Sequence, residues 1–334
     1  MLADPVLAAL GFGGDLVDDV PEGALVARVR RGDRGAVTAL GSDGEVRLDL
    51  DPLHPLPDQP VTGDWVAYDP AGPTGPVVVA VLPRRSALVR AASGDENVPQ
   101  VLAANVDIVG IAIGLGTDRN PRRIERFVTV AYASGSVPLL LLTKADLVDD
   151  ATVAAAVDEV SALIPGRDVI VLSTTDGRGL AELTARVADG RTIALIGPSG
   201  VGKSSLVNAI VGHHVVATGA VREGDGKGRH TTTHRELVPL PGGGVLLDTP
   251  GIRGLVPWDD GDGLALAFPE IEAVLGGCRF SNCSHTREPG CALLAAVRAG
   301  RVTPDRLEGW RRLSGELDRL ADTADRRSRS RRTS

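Results

Sequence analysis

The chain has 334 residues, of which 43% are hydrophobic and 24% charged. That balance excludes general disorder, and the length suits two or three domains rather than one. A formal net charge of -7 excludes a chain-wide nucleic-acid surface and leaves that role to local basic patches.

No apolar run reaches the roughly 18 residues of a membrane span, and MLADPVLAALGFGGD lacks the basic start and cleavage site of a secretory signal. A soluble cytoplasmic chain without a membrane role is therefore expected. The three cysteines all fall between Cys278 and Cys291, an odd and clustered set that speaks for metal rather than disulfides. Of 36 basic residues only Lys144, Lys203 and Lys227 are lysine. A compact ammonium fits among phosphates where a planar guanidinium does not.

Taken in chain order, ALVARVRR, AVTALG, EVRLDL, DWVAYD and VVVAVLP read as five short strands separated by turn residues between 24 and 88. This predicts a small all-β barrel or sandwich, with an oligonucleotide-binding OB-fold as the five-stranded barrel of this size and a barrel with a packing role only as the alternative. From residue 101 apolar runs alternate with helical stretches. VDIVGIAIGL, VPLLLLTKADL, DVIVLST and RTIALIG read as strands buried on both faces, while ATVAAAVDEVSALI, GLAELTARVADG and SSLVNAIVG read as helices. The alternation predicts a doubly wound α/β domain. ELVPLPGGGVLLDTPG adds two strands joined by a glycine-rich turn. CALLAAVRAG and PDRLEGWRRLSGELDRLAD then predict a helical C-terminal domain, ending in RRSRSRRTS, a basic tail that is either a nucleic-acid patch or a solvated end. The expected domains are 1–88, 89–255 and 256–334.

Gly197, Pro198, Ser199, Gly200, Val201, Gly202, Lys203 and Ser204 fit GxxxxGKS between the strand RTIALI and a helix that continues with Ser205. The glycines let backbone N–H groups wrap phosphates, and the helix start favours an anion. Lys203 would reach the β and γ phosphates and Ser204 would ligate Mg2+. Asp248, Thr249, Pro250 and Gly251 end the strand VLL, where Asp248 can hold Mg2+ through water and the Gly251 N–H can sense the γ-phosphate.

Thr143, Lys144, Ala145 and Asp146 terminate PLLLL in the manner of NKxD. Asp146 can accept from guanine N1–H and the exocyclic amine, which disfavours ATP. Thr143 replaces the usual Asn, and its hydroxyl cannot make both contacts of an amide. Ser173, Thr174 and Thr175 would offer backbone N–H groups to the base. In the loop Gly226 to Thr233, one threonine of Thr231, Thr232 and Thr233 would cap Mg2+, with Thr232 and Thr233 as candidate switch residues. Cys278-x4-Cys283-x-His285-x5-Cys291 supplies the Cys3His set of a closed, structural zinc site.

The base motif precedes the phosphate loop, the reverse of the common order. That permuted order, with GPSGVGKSSL, GRHTTT, DTPG, the Cys3His spacing, GDWV, LPRRS and AANVD, resembles the ribosome small-subunit-dependent GTPase A family over about residues 24 to 300. The resemblance implies an OB-fold, a permuted GTPase domain and a zinc domain. It further implies GTP or GDP, the small ribosomal subunit and its rRNA as partners of a monomer active in late maturation. Ile252 stands where Ras-like proteins carry a water-orienting glutamine, which implies slow turnover until the ribosome stimulates it. An RNA-binding scaffold that holds nucleotide as a structural ligand is the alternative.

Overall fold

The computed structural model describes residues 4–53, 55–73, 75–91, 99–116, 119–212, 236–248 and 262–332. A short helix, α1 (Pro5–Ala9), opens them. Asp4 caps it by accepting the Val6 and Leu7 N–H groups, and Pro5 starts it with a φ already suited to a helix.

Five strands follow: β1 (Leu25–Asp33), β2 (Ala36–Gly41), β3 (Gly44–Asp49), β4 (Trp65–Asp69) and β5 (Val77–Val81). They close as a barrel in the order β1-β2-β3-β5-β4, with β1 returning to β4. The closed five-stranded barrel decides between the barrel and the sandwich that the turn spacing allowed, and agrees with an OB-fold. Ala27, Val29, Val37, Ala39, Leu48, Val66, Tyr68 and Val78 fill its interior. The alternate positions Val26, Trp65 and Ala67 point the other way, as a period of two requires. There they bury Leu7, Leu10, Phe12 and Leu16 of the N-terminal segment, together with Leu237 and Val245.

A hairpin of β6 (Ala87–Ala91) and β7 (Pro99–Ala104) leads into the α/β layer. Its elements are β8 (Ile108–Gly114), α2 (Pro121–Ala133), β9 (Val137–Thr143), α3 (Asp150–Leu163), β10 (Val169–Val171), α4 (Leu180–Val187), β11 (Thr192–Ile196), α5 (Lys203–Val211), β12 (Glu236–Pro239) and β13 (Val245–Asp248). The sheet order is β10-β9-β8-β11-β13-β12, parallel except for the antiparallel edge strand β12. Every residue of β8 and β11 is buried, which explains why both read as unbroken apolar runs. From β8 the chain steps outward to β9 and β10, then returns to β11 on the other side of β8 and proceeds to β13. The strand order therefore reverses between β8 and β11, where doubly wound sheets open a crevice at their C-terminal ends.

The barrel leans on the edge of this sheet. Arg30 of β1 forms ion pairs with Glu45 of β3 and with Glu236, the first residue of β12, the latter at 2.7 Å.

The C-terminal part contains α6 (Asp262–Ala267), α7 (Pro269–Glu272), α8 (Ala292–Arg298) and α9 (Pro304–Arg332). Leu264, Phe268, Ile271, Leu293, Ala296, Leu307 and Leu313 join one buried cluster with Ile124 and Val128 of α2 and Leu140 of β9. Each such buried Leu, Ile, Val or Phe side chain contributes about 1.5–3 kcal/mol. Residues 326–332 of the basic run lie within α9.

A candidate nucleotide site and a Cys3His cluster

β11 ends at Ile196, and the chain turns through Gly197 to Gly202 into α5. Gly197, Gly200 and Gly202 have φ of 143°, 79° and 95°, values that L side chains rarely adopt. At Gly197 a Cβ would also lie 2.4 Å from the Ala112 carbonyl oxygen. Only glycine lets this loop close down on β8. Gly202 precedes α5 without any capping side chain, so the first N–H groups of the helix are left for an external acceptor. The Lys203 ammonium donates to the carbonyls of Gly197 at 2.8 Å and Pro198 at 2.6 Å, which holds its charge over the loop. Ser204 and Ser205 follow in the first turn, both half-buried.

The segment Thr143 to Asp146 meets this loop directly. Thr143, the last residue of β9, is buried, and its hydroxyl donates to the Val201 carbonyl at 2.6 Å with the Ile113 carbonyl 3.3 Å away. Lys144 adopts a left-handed conformation with φ 63°. Its Cε lies 3.9 Å from where a Cβ on Gly202 would stand, so its stem runs along the phosphate loop. Ala145 is buried and its N–H donates to the Leu172 carbonyl at 3.1 Å.

Asp146 is exposed. Ser173, fully buried after β10, donates its hydroxyl to Asp146 Oδ1 at 2.8 Å, and Thr175 donates to Oδ2 at 3.1 Å. The Ser173 hydroxyl, ahead of the Thr175 hydroxyl and the nearby Lys144 charge, holds the Asp146 carboxyl below its usual value of 3.8. These side-chain contacts were not expected from the sequence, which assigned Ser173, Thr174 and Thr175 only backbone donors. The Thr175 N–H is in fact engaged by the Ser173 hydroxyl at 3.1 Å. Thr174 lies exposed between them.

Asp248 ends β13 opposite Glu236. Thr231, Thr232, Thr233, Thr249, Pro250, Gly251 and Ile252 lie outside the described residues.

In the C-terminal part the three Sγ atoms and a ring nitrogen of Cys278, Cys283, Cys291 and His285 lie within 4.8 Å of one another. Cys278 Sγ is 4.0 Å from Cys291 Sγ and 3.5 Å from His285 Nδ1, which is 3.6 Å from Cys291 Sγ. A tetrahedron with zinc–sulfur bonds of about 2.3 Å has edges of about 3.8 Å between sulfurs and about 3.5 Å to nitrogen. The donor set thus fits zinc, and 4.0 Å is far beyond a disulfide bond. The Ala292 N–H points at Cys278 Sγ and the Leu294 N–H at Cys291 Sγ, at 3.3 and 3.5 Å. Such donors stabilise metal-bound thiolates. Four protein ligands leave no open position, so the zinc is structural.

A model of the RsgA GTPase family matches residues 81–257. The small ribosomal subunit biogenesis GTPase RsgA of Streptomyces avermitilis is 46% identical over 312 residues, covering 92% of this chain and 84% of that protein. The chain belongs to the RsgA GTPase family. The RsgA of Syntrophotalea carbinolica, named in the same words, is 42% identical, with 87% of this chain and 83% of that protein covered. The crystal structure of YjeQ from Thermotoga maritima aligns with a TM-score of 0.65 at 25% identity, over 88% of this chain and 98% of that one. YloQ, described as a circularly permuted GTPase, shares the fold with a TM-score of 0.64 at 22% identity, over 89% and 96% of the two chains. Membership makes the chain a GTP-hydrolysing enzyme and implies Mg2+ with the nucleotide.

Proposed function

We propose that this chain is a GTPase of small-ribosomal-subunit assembly that acts late in maturation, is stimulated by the subunit and leaves it after hydrolysis. The observation that supports this reading best is the joining of the two halves of a guanine-nucleotide site. The Thr143 hydroxyl ties the base-reading strand to the phosphate loop at Val201, and Asp146 follows in the same motif. Its relatives from Streptomyces avermitilis and Syntrophotalea carbinolica carry the name small ribosomal subunit biogenesis GTPase.

In this mechanism Asp146 selects guanine, while the backbone N–H groups at the start of α5 and the Lys203 ammonium bind the phosphates. Ser204 and Asp248 would hold Mg2+, which neutralises charge developing on the phosphate oxygens. Thr232, Thr233 and Gly251 belong to the switches that answer to the γ-phosphate. The residues serve as three divisions: 1–88 for RNA contact, 89–255 for nucleotide, and 256–334 around the zinc. Among the described residues no helix is long and apolar enough to cross a membrane. The proposed setting is the cytoplasm, with the chain working as a monomer on the subunit and its rRNA.

Multiple-turnover phosphate release with and without small subunits tests the proposal. Stimulation by subunits, abolished in Lys203→Ala, is expected. Equal, negligible release in both conditions would replace the timer with a nucleotide-liganded RNA-binding scaffold.

A further inference from the structure

Guanine reading rests on one carboxylate, and the structure grips that carboxylate at both of its oxygens. Ser173 Oγ donates to Asp146 Oδ1 at 2.8 Å, and Thr175 Oγ1 donates to Oδ2 at 3.1 Å. Both donors come from a single turn after β10. The buried Ser173 oxygen also accepts the N–H groups of Thr175 at 3.1 Å and Asp176 at 3.3 Å. The hydroxyl that secures Oδ1 thereby also places the residue that secures Oδ2. On the other side, the Ala145 N–H donates to the Leu172 carbonyl at 3.1 Å, so the two loops are stitched together beside the carboxylate.

The plane of an aspartate carboxylate is set by a broad, roughly two-fold torsion. One hydroxyl on one oxygen leaves that plane free to turn; a second hydroxyl on the other oxygen stops it. An ionised carboxylate has about four acceptor positions, so two hydroxyls still leave each oxygen able to accept from a base. Guanine presents N1–H and the 2-amine side by side and needs both oxygens in its own plane. Hypoxanthine presents N1–H alone and tolerates a rotated carboxylate.

We propose that Thr175 is a specificity-determining positioning residue, whose hydroxyl holds the Asp146 carboxylate in the plane that lets it read the guanine 2-amine. The inference rests on the reading of Asp146 as the guanine selector. It assigns Thr175 a role through its side chain, separate from any backbone contact to the base.

The test compares equilibrium affinities for GDP and IDP, by competition against a fluorescent nucleotide, in the full chain and in Thr175→Val and Thr175→Ser. Valine keeps the shape and removes the hydroxyl; serine restores it. Thr175→Val should lower the preference for GDP over IDP about two- to tenfold, the span of one ordinary hydrogen bond, with IDP affinity nearly unchanged and Thr175→Ser close to wild type. An unchanged preference in Thr175→Val would overturn the inference, as would an equal loss for both nucleotides, which marks general damage to the turn. A wild-type chain that binds GDP and IDP equally would instead overturn the guanine reading of Asp146 itself.

Discussion

The Thr143 hydroxyl and the Val201 carbonyl, 2.6 Å apart, join the end of β9 to the phosphate loop. A threonine here cannot make two amide contacts, but it keeps the one that braces the loop. Thr143→Val keeps the volume and leaves a buried carbonyl without its donor, which costs about 1–3 kcal/mol. Nucleotide affinity should fall accordingly, by the same factor for GDP and IDP because the bond acts on the phosphate side. Thr143→Ser should stay near wild type. Competition binding measures both, and a loss confined to GDP would show that Thr143 acts on the base instead.

The Asp146 carboxyl sits below 3.8, first because Ser173 donates to it and then through Thr175 and Lys144. The proposed guanine reading needs the ionised form. With its pKa depressed, that form is fully present above the ordinary carboxylate value and is lost only as pH falls through the lowered one. Nucleotide affinity in the wild type should therefore hold flat on acidification past the point where an unassisted aspartate protonates. Ser173→Ala removes the largest cause, so the acid limb should move to higher pH. An acid limb that stays in place in this variant would show that protonation of Asp146 does not set it.

What could be read beforehand divides along the range of the contacts. The barrel strands were legible because Ala27 and Val29, or Val37 and Ala39, recur at every second position. The motifs were legible because each is a continuous run whose chemistry is local. Arg28 was not. In an alternating strand it reads as solvent-facing, yet it is buried, lies 5.4 Å from the Trp65 ring, and donates to the carbonyls of Leu10, Gly63 and Asn105. Burial lowers its pKa to about 10. Its partners come from the N-terminal segment, the barrel and the strand leading into the GTPase sheet, and no local pattern announces such a meeting. The same holds for Thr175, whose hydroxyl finds Asp146 across 29 residues of chain.

The Cys3His cluster carries a direct prediction. One zinc per chain is expected by elemental analysis, since three cysteine sulfurs and one imidazole nitrogen gather within 4.8 Å of one another. Cys283→Ser should lower metal content and thermal stability together, and a chelator should reproduce the stability loss in the wild type. Because the cluster packs with Leu293 and Ala296 of α8 in the core shared with α2, the loss should appear in the main unfolding transition. A variant that keeps zinc and melts like the wild type would exclude Cys283 as a ligand.

Glu125 of α2 and Arg306 of α9 tie the GTPase core to the C-terminal helices. Arg306 pairs with Glu125 at 3.0 Å and with Glu270 at 2.7 Å, donates to the Ala267 carbonyl at 2.8 Å, and stacks 4.1 Å over Phe268. The two side chains are only 9% and 4% exposed. Breaking such a pair strands a buried charge, so Arg306→Met should cost about 3–5 kcal/mol, whereas Glu125→Leu combined with Arg306→Met should recover most of that loss. The cost should also depend on pH. Burial raises the Glu125 carboxyl above its ordinary 4.5 even with Arg306 beside it, and without Arg306 it should rise further. A raised carboxyl means that the folded state takes up a proton before the unfolded one, so stability falls as pH climbs from 4.5 through the raised value. The penalty of Arg306→Met should accordingly be largest at neutral pH and shrink on acidification, as Glu125 neutralises. Denaturant unfolding of the single and double variants at both pH values decides between charge and packing. An undiminished penalty at acid pH would place the loss in the stack on Phe268 and the Ala267 hydrogen bond, and would remove the ion pair from the account of how these two parts are held together.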